Sequence, residues 1–457
     1  MKSEDVIASK TKEQIMDELG LLTEINNRID PELYSRYNVK RGLRNSDGTG
    51  VLVGLTEIGE VRAYVLSEGE KVPVEGTLLY RGINVNDFVS GFQKDKRFGF
   101  EECCYLLLFG ELPSKSNLED FKQLLGEYRR LPGSFTEDMI LKAPSTDIMN
   151  KLARAVLASY SFDSNPEDLS IKNVLRQCIE LIARFPTMAA YGYQAKIHYH
   201  DKRSLYLHSP DPDLSTAENI LHMIRPDSVY TATEAETLDL ALVLHAEHGG
   251  GNNSTFTTHV VASSGTDTYS AISAAIGSLK GPLHGGANAK VLEMMEDIKA
   301  NVKNWSNEDE VGTYVEKIFR KEAFDRTGLL YGMGHAVYTL SDPRAILLKQ
   351  KAADLSEEKG MEKEFKLYNT IEKLAPDIFY NVKKVDKVIC ANVDFYSGFV
   401  YNMLNIPTEL HTPIFAIGRV PGWCAHRIEE LVSGGRIIRP AYKGVLNKKS
   451  YLSINER

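Results

Sequence analysis

Residues 174–197 read VLRQCIELIARFPTMAAYGYQAKI, and apolar side chains recur in this segment every three or four positions. That interval matches one face of an α-helix, which has about 3.6 residues per turn. The segments LARAVLASYSF (152–162) and TATEAETLDLALVLHAEH (231–248) repeat the pattern. A fourth segment, FEECCYLLLFGELP (100–113), ends in a glycine and a proline, which is a helix stop. Helical segments outnumber strand-like ones, so we predict a mainly α fold.

A strand-like composition is confined to one region near the N-terminus. GVLVGLTEIGEVRAYVL (50–66) is rich in valine and interrupted by glycines, and EGTLLYRGINVNDFV (75–89) follows it. Residues 1–40 have the composition of charged helices without a strong apolar stripe, which predicts an arm. From about 290 to 390 the helical segments are more charged and lie between two glycine-rich stretches that carry histidines. This pattern indicates a smaller, more solvated helical domain inserted into a larger one.

Length and charge limit the classes of function. The chain has 457 residues, which predicts more than one domain, and a formal net charge of −8. The acidic balance argues against a general nucleic-acid-binding or anionic-membrane-binding surface, although a local arginine cluster can still bind a small anion. The first twenty residues carry acids and lysines and no apolar core, so we expect no secretory signal. No stretch approaches the roughly 18 apolar residues of a membrane span, and we expect a cytoplasmic protein.

Cysteine and histidine spacing gives no recognised metal motif. The five cysteines form no CxxC pair, so we expect buried free thiols in a reducing compartment. His245 and His248 are three residues apart and can form half of a metal site, but no HExxH motif completes it. We therefore predict no metal. The run Gly332-Met333-Gly334 lacks the preceding valine-rich strand of a nucleotide-binding loop.

Four histidines lie beside glycines at predicted helix boundaries: His245 and His248 in LHAEHGGGN, His284 in GPLHGGAN, and His335 in GMGHAVY. Glycine lets the backbone approach a ligand closely, and a histidine at a helix N-terminus tends to stay neutral because the dipole disfavours its cation. A neutral imidazole can donate a hydrogen bond to a developing oxyanion. Taken singly, each of these histidines can equally be a hydrogen-bonded structural residue.

One aspartate and three arginines complete the set of candidate residues. Asp394 lies among apolar and aromatic neighbours in VDFYSG, where desolvation should raise its pKa and make it a better base. Arg344 in SDPRA, Arg419 in AIGRVPGW and Arg439 in IIRPAY carry guanidinium forks that suit carboxylates. Three arginines in such loops suggest a substrate with more than one carboxylate. Alone, Asp394 can be a helix cap, and Arg344 can belong to a surface ion pair.

Together these motifs resemble the citrate synthase family. GPLHGGAN, GHAVY followed by DPRA, VDFYSG and GRVPGWCAH occur in the order and approximate spacing of that family, and the similarity runs from about Leu78 to Tyr442. LLYRGINVNDF, FEECCYLLLFGELP, ARFPTMAAY, HSPDPDLSTAENIL and HAEHGGGN also match. The resemblance implies a citrate-synthase-like two-domain helical fold with a small N-terminal β element. Its domains would be an arm (1–45), a large helical domain (46–288 plus 395–457) and a small helical domain (289–394) that closes over the active site.

The resemblance also implies three catalytic roles. Asp394 would remove a proton from the methyl group of acetyl-CoA, and His284 would stabilise the enol or enolate at the thioester oxygen. His335 would polarise and protonate the ketone oxygen of oxaloacetate. Citryl-CoA would then be hydrolysed in the same site. No metal or redox cofactor is implied, since acetyl-CoA is a substrate.

His248, Arg344, Arg419 and Arg439 match the family's oxaloacetate-binding positions. In the family the position of Arg439 belongs to the neighbouring subunit, so the resemblance implies a homodimer. The motifs leave open a 2-methylcitrate synthase that uses propionyl-CoA, because the two activities differ by one methylene in the pocket. A non-catalytic binding protein on the same scaffold is less favoured, because the catalytic set is intact.

The residues that bind the CoA phosphates are unknown from the sequence. Many relatives carry a basic residue after the GHxVY or GHxVL motif, but Thr339 and Leu340 stand there in this chain. Lys40, Arg41 and Arg44 are alternatives by charge, although a solvated arm explains them equally well. Allosteric control and any assembly beyond a dimer are also not apparent from the sequence.

Overall fold

A computed structural model describes residues 10–45, 48–67, 70–334, 337–385 and 388–456. The chain divides after Leu55 into two compact units. The first unit contains helices α1 (Lys12–Asn26) and α2 (Pro31–Arg36) and a short 3₁₀ turn at Arg41–Leu43. Reciprocal hydrogen bonds between Thr11 and Gln14 form a capping box at the start of α1. The helical prediction for residues 1–40 is therefore confirmed for the part that is described.

Most of the second unit is helical, as the apolar spacing predicts. Its described α-helices are, in chain order, α3 (Val85–Lys94), α4 (Phe100–Phe109), α5 (Lys115–Tyr128), α6 (Ile148–Ser159), α7 (Ile171–Tyr199), α8 (Thr216–Ile224), α9 (Ala232–His245), α10 (Asn253–Ala262), α11 (Thr268–Lys280), α12 (Ala287–Asn301), α13 (Glu308–Phe319), α14 (Pro343–Lys359), α15 (Glu362–Lys383), α16 (Val393–Met403) and α17 (His411–Val432).

A small antiparallel sheet precedes these helices. Strand β1 (Gly59–Ser67) pairs with β2 (Glu70–Tyr80), and β2 pairs with β3 (Ile83–Asn84), in the order β1-β2-β3. The β element is confirmed, but its limits differ from the composition-based segments. Residues 50–58 lie outside the strands, and α3 replaces extended structure from Val85, where Asn84 caps the helix.

Helices α7 and α17 form the centre of the core. α7 is 29 residues long, and most of its side chains are buried on every side. α17 is buried from His411 to Arg427 apart from a few positions, and it packs against α7, α9, α10 and α4. A helix that is apolar on all sides belongs in the interior of a large domain. Any charged side chain on the buried part of α17 is therefore strongly desolvated.

Two details at the ends of α4 explain how sequence fixes helix limits. The carboxylate of Asp239 accepts hydrogen bonds from the backbone N–H groups of Gly99 and Phe100, at 2.7 and 3.1 Å, which satisfies free donors at the start of the helix. At the other end Gly110 has φ 82°, a left-handed conformation that favours glycine. The helix stop predicted from FEECCYLLLFGELP is confirmed.

The cysteine prediction is confirmed in part. Cys103, Cys104, Cys178 and Cys424 are buried free thiols, whereas Cys390 is free but half-buried. In the described part of the chain, no helix combines the length and apolar character needed to cross a membrane. The proposed boundary of a small domain at 289–394 stays a prediction.

Candidate active site

Asp394 lies in the first turn of α16, where its backbone N–H donates to Asn392 Oδ1 at 3.0 Å. Asn392, not Asp394, is thus the cap of this helix. Among the described residues, no hydrogen bond reaches the Asp394 carboxylate. Burial raises the pKa of Asp394 to about 6, an effect that Arg344 and Arg419 only partly oppose and to which Asp342 adds. The direction agrees with the desolvation predicted from the sequence.

Arg344 is held by the residue two positions before it. Asp342 caps α14, Pro343 is its first residue, and Arg344 is the second. The guanidinium donates Nε to Asp342 Oδ1 at 3.0 Å and Nη2 to Oδ2 at 2.7 Å. Burial alone would lower the pKa of Arg344, but Asp342 more than offsets it, so the pKa lies above its ordinary value. The sequence-based alternative of a surface ion pair for Arg344 is wrong, because both partners are buried.

Asp342 also connects this pair to the candidate base. Its Oδ2 accepts a hydrogen bond from the backbone N–H of Val393, the residue before Asp394, at 3.3 Å. One carboxylate thereby joins the N-termini of α14 and α16. Arg344 and Asp394 are positioned by a shared contact, although they are 50 positions apart in the chain.

Arg419 lies in the middle of α17 and is fully buried. The prediction that this arginine lies in a loop is wrong, because Pro421 is accommodated inside a continuous helix. Its Nε donates to the carbonyl oxygen of His245, and its Nη1 is buried without a hydrogen-bond partner among the described residues. Burial lowers the pKa of Arg419 to about 10, with Glu247 acting in the opposite direction. Such a group remains a cation at neutral pH, and no carboxylate of the described residues forms a salt bridge with it.

His284 lies in the turn between α11 and α12 and is mostly buried. Its Nε2 is 3.1 Å from Ser254 Oγ, and the same hydroxyl accepts a hydrogen bond from Trp423 Nε1 at 3.1 Å. Burial, followed by the nearby Arg419, lowers the pKa of His284 to about 4. The imidazole is therefore neutral at physiological pH, as predicted, with burial as the leading cause.

The segment after α9 brings two further histidines to this region. His245, the last residue of α9, is buried and its Nε2 is 2.9 Å from the hydroxyl of Tyr401. His248 is buried and meets the ring of Tyr338 edge to face, with 5.6 Å between ring centroids. Gly249 follows with φ 81°. This left-handed residue turns the chain away immediately after His248.

A close approach between α17 and this segment depends on glycine. A Cβ atom at Gly422 would lie 2.3 Å from the carbonyl oxygen of Ala246 and 2.6 Å from Glu247 Oε2. No other residue fits there without moving the backbone. Glu247, buried beneath α17, pairs with His426 at 3.1 Å between Oε1 and Nε2. Arg419 and His248 are therefore anchored by the same helix contact.

The remaining predicted site residues are His335 and Arg439. His335 lies outside the described residues. Its predecessor Gly334 is tied to the base, because its carbonyl oxygen accepts from Asn392 Nδ2 at 2.8 Å. Arg439 is exposed in the irregular segment after α17. Lys40, Arg41 and Arg44, considered for CoA phosphates, are mostly exposed residues of the first unit.

Several supporting residues of the site were absent from the sequence-based predictions. Asp342 could have been found from the Asp-Pro pair, a common N-cap followed by a first-turn proline. Trp423 belongs to the quoted motif GRVPGWCAH, but nothing in its spacing points to Ser254 or His284. Tyr401 and His245 are 156 positions apart, so their contact had no local signal.

Comparison with known sequences identifies one family. A family profile described as "Citrate synthase, C-terminal domain" matches residues 46–441. The chain is 36% identical to a citrate synthase from Synechocystis over 389 residues, which cover 84% of this chain and 89% of that protein. It is also 33% identical to a 2-methylcitrate synthase from Shewanella oneidensis, over 83% of this chain and 92% of the relative.

Solved structures give the same result for the fold. The citrate synthase from Pyrobaculum aerophilum aligns with a TM-score of 0.72 at 30% identity and covers 89% of this chain and 94% of that one. The enzyme from Thermoplasma acidophilum, solved as a ternary complex with carboxymethyl coenzyme A and oxaloacetate, aligns with a TM-score of 0.74 at 26% identity. That alignment covers 92% of this chain and 99% of the other.

Proposed function

The chain belongs to the citrate synthase family, and we propose that it condenses acetyl-CoA with oxaloacetate and hydrolyses citryl-CoA to citrate and CoA. In this reaction the transferred acyl group becomes an alkyl group. The observation that carries the proposal is a desolvated carboxylate, Asp394, in the electrostatic field of two buried arginines, Arg344 and Arg419. Such a site can remove a weakly acidic proton next to a bound polycarboxylate.

The first step is the removal of a proton from acetyl-CoA by a base. Asp394 takes a proton from the methyl carbon of acetyl-CoA, and the electron pair of that C–H bond moves toward the thioester oxygen. With a pKa of about 6, the carboxylate is mostly ionised at neutral pH and is a stronger base than an ordinary aspartate. Because no described residue hydrogen-bonds to this carboxylate, its oxygens are available to the methyl group.

The second group must stabilise the oxygen on which charge develops. His284 is neutral, so it can donate one N–H to the enol or enolate. If the hydroxyl of Ser254 donates to Nε2 of His284, the imidazole proton resides on Nδ1, where it can meet the substrate. Trp423 Nε1, which donates to the same hydroxyl, favours that orientation because it occupies a lone pair of Oγ.

The side chains proposed to bind oxaloacetate are cations whose N–H groups are available to a substrate carboxylate. Arg419 has a buried Nη1 without a described partner, and a substrate carboxylate would satisfy it. Arg344 already has Asp342, which fixes its orientation and leaves other guanidinium N–H groups for a second carboxylate. His248, buried beside Tyr338, would contact the same substrate. The Thermoplasma relative was solved in complex with oxaloacetate, which supports oxaloacetate as the anion that these residues would bind.

His335 would protonate the ketone oxygen of oxaloacetate as the new carbon–carbon bond forms. Asn392 supports this role, since its amide joins Gly334, the residue before His335, to the backbone of Asp394. We further propose that residues 289–394 form a small domain that closes over oxaloacetate and excludes water during enolate formation. The proposed chemistry draws no step from a metal or redox cofactor. The cytoplasmic location stays a prediction.

Arg439 would enter the site from a second subunit. It is exposed in its own chain, on a mostly exposed segment that also carries Arg436, Lys443, Lys448 and Lys449. We therefore propose a homodimer in which each active site is completed by the partner, as the family resemblance implies.

Subunit mixing tests this arrangement directly. Arg439→Leu and Asp394→Asn should each be inactive, but a heterodimer of the two has one site with both native residues. Random exchange should therefore restore about a quarter of the native activity. If mixing restores nothing while heterodimers are demonstrated by tagged co-purification, Arg439 acts within its own chain or has no role.

The overall reaction is tested by thiol release from acetyl-CoA and from propionyl-CoA, each with and without oxaloacetate. Oxaloacetate-dependent release from acetyl-CoA is the expected result. A larger specificity constant for propionyl-CoA would instead assign the activity of the Shewanella relative, 2-methylcitrate synthase. Absence of release from both, in folded dimeric protein, would refute the proposal.

A further inference from the structure

Two histidines and a glutamate form a cluster on the side of α17 that faces α10. His259 of α10 places its Nε2 3.1 Å from Nδ1 of His426 on α17. Glu429, one turn further along α17, has its Oε2 3.6 Å from the same Nδ1. One ligand atom from each of these three residues lies within 4.8 Å of the other two. His426 is fully buried, and the others are only slightly exposed.

The remaining nitrogen of each imidazole is held by a carboxylate. Nδ1 of His259 is 2.8 Å from Glu430 Oε2, and Nε2 of His426 is 3.1 Å from Glu247 Oε1. An ionised carboxylate only accepts hydrogen bonds, so the hydrogen bond to Glu430 places a proton on Nδ1 of His259. The negative charge of Glu247 favours a proton on Nε2 of His426, although that contact is an ion pair without hydrogen-bond geometry. Carboxylate–histidine pairs of this kind orient imidazole ligands toward metal ions and raise their basicity.

Protonation of the outer nitrogens limits the number of protons that can lie between the two rings. The two inner nitrogens, 3.1 Å apart, then have at most one proton between them, because two N–H groups would collide at that distance. Without any proton, two lone pairs and the carboxylate of Glu429 face a common region. This arrangement favours a cation there, either a shared proton or a metal ion.

We propose that His259 Nε2, His426 Nδ1 and Glu429 Oε2 bind a divalent transition-metal ion, with zinc as the best match. A tetrahedral ion with bonds of about 2.0–2.1 Å separates its ligand atoms by about 3.3–3.4 Å. The two measured separations, 3.1 and 3.6 Å, lie on either side of that value. Two imidazoles and one carboxylate are also a ligand set that zinc accepts, with a water in the fourth position.

Other features of the cluster favour an ion over a shared proton. Oε2 of Glu429 is buried and has no hydrogen-bond partner among the described residues, so a metal bond would satisfy it. A Cβ at Gly250 would lie 3.7 Å from Cε1 of His426 and 3.8 Å from Nε2 of His259. The glycine thus leaves space beside both rings for a water ligand. Three carboxylates around two imidazoles also favour a divalent charge.

The ion would have a structural role. It would join α10 to α17, and through Glu247 it would steady the segment that carries His248, without touching a substrate atom. The sequence-based prediction of no metal rested on His245 and His248 alone. The site proposed here was missed because His259 is 167 positions from His426. Spacing alone cannot bring such residues together.

Cobalt(II) and zinc binding to the full-length, chelator-treated protein would test the site. We expect one cobalt ion per chain with the intense visible absorption of a tetrahedral complex, and its displacement by zinc. His259→Asn and Glu429→Gln should abolish this absorption, and Glu430→Gln should weaken zinc binding by about 10–100-fold. His200→Asn, at an exposed histidine, is the matched control and should bind as the native protein does.

The competing outcome is a hydrogen-bonded chain from Glu247 to Glu430 with a proton between the rings. Native protein that binds no tetrahedral cobalt, or binds it equally well in His259→Asn, would establish this alternative and overturn the metal site. His259 and Glu429 are partly exposed, so they can be substituted while the fully buried His426 is kept. Circular dichroism would verify that each variant folds. The readout does not depend on citrate synthesis.

Discussion

Replacing Asp394 with asparagine should stabilise the protein while strongly reducing turnover. The folded chain holds the pKa of this carboxyl at about 6, compared with an ordinary value of 3.8. At neutral pH the ionised group is therefore less stable in the folded protein than in the unfolded chain. Asparagine has nearly the same shape and carries no charge, so it removes this penalty.

The magnitude follows from the pKa difference. About two units correspond to roughly 3 kcal/mol at most, at 1.36 kcal/mol per unit. A raised carboxyl pKa means that the folded state binds the proton more tightly between pH 3.8 and about 6, so stability falls as pH rises through this window. The stabilisation by Asp394→Asn should be about 3 kcal/mol at pH 7.5 and roughly half of that at pH 5.

Urea unfolding of the native and variant proteins at both pH values, with turnover measured in parallel, checks this prediction. Loss of the base should lower kcat by about 10²–10⁴-fold. Asp377→Asn, at an exposed position of α15, is the control and should leave both quantities nearly unchanged. If Asp394→Asn is no more stable than the native protein at pH 7.5, or if the difference does not depend on pH, burial does not set the pKa and the reasoning fails.

Three further predictions concern the same site. Arg344→Leu should raise the oxaloacetate concentration needed for half-maximal rate by about 30-fold or more and change the acetyl-CoA requirement much less; initial rates that show an unchanged oxaloacetate dependence would contradict the assigned contact. Ser254→Ala should lower kcat by about tenfold through loss of a hydrogen bond to His284, while Ser264→Ala, at an exposed serine, should have little effect; equal rates for both variants would argue against the tautomer assignment. Because the pKa of Asp394 is about 6 and that of His284 about 4, kcat/KM should fall by about tenfold from pH 7 to pH 5 with a single ionisation; a profile that is flat to pH 5 would exclude Asp394 as the base.

Local sequence patterns predicted the helical fold well, because apolar spacing and helix stops are properties of neighbouring residues. The spacing in VLRQCIELIARFPTMAAYGYQAKI corresponds to the central helix α7, which continues through Pro186. The limits of the sheet were less accurate, since the capping of α3 by Asn84 overrides the strand-like composition from Val85 onward.

The site was predictable where a motif contains both the functional residue and its support. Asp342, Pro343 and Arg344 are adjacent, and the helix cap that positions the arginine can be derived from their order. Arg419 was assigned to a loop because glycine and proline flank it, whereas burial among other helices keeps α17 continuous. Contacts such as that between His284 and Ser254 depend on the packing of separate helices, which no local pattern encodes.

The amide of Asn392 has a consequence for how the site tolerates motion. Its oxygen holds the backbone at Asp394 and its nitrogen holds the carbonyl of Gly334, immediately before His335. Displacements of the two chain segments, at Gly334 and at Asp394, are therefore correlated, and the distance between the segments is preserved while both move. Asn392→Asp would keep the helix cap and remove the side-chain attachment to Gly334, while the backbone hydrogen bonds that pair residues 332–334 with residues 390–392 would still couple the two segments.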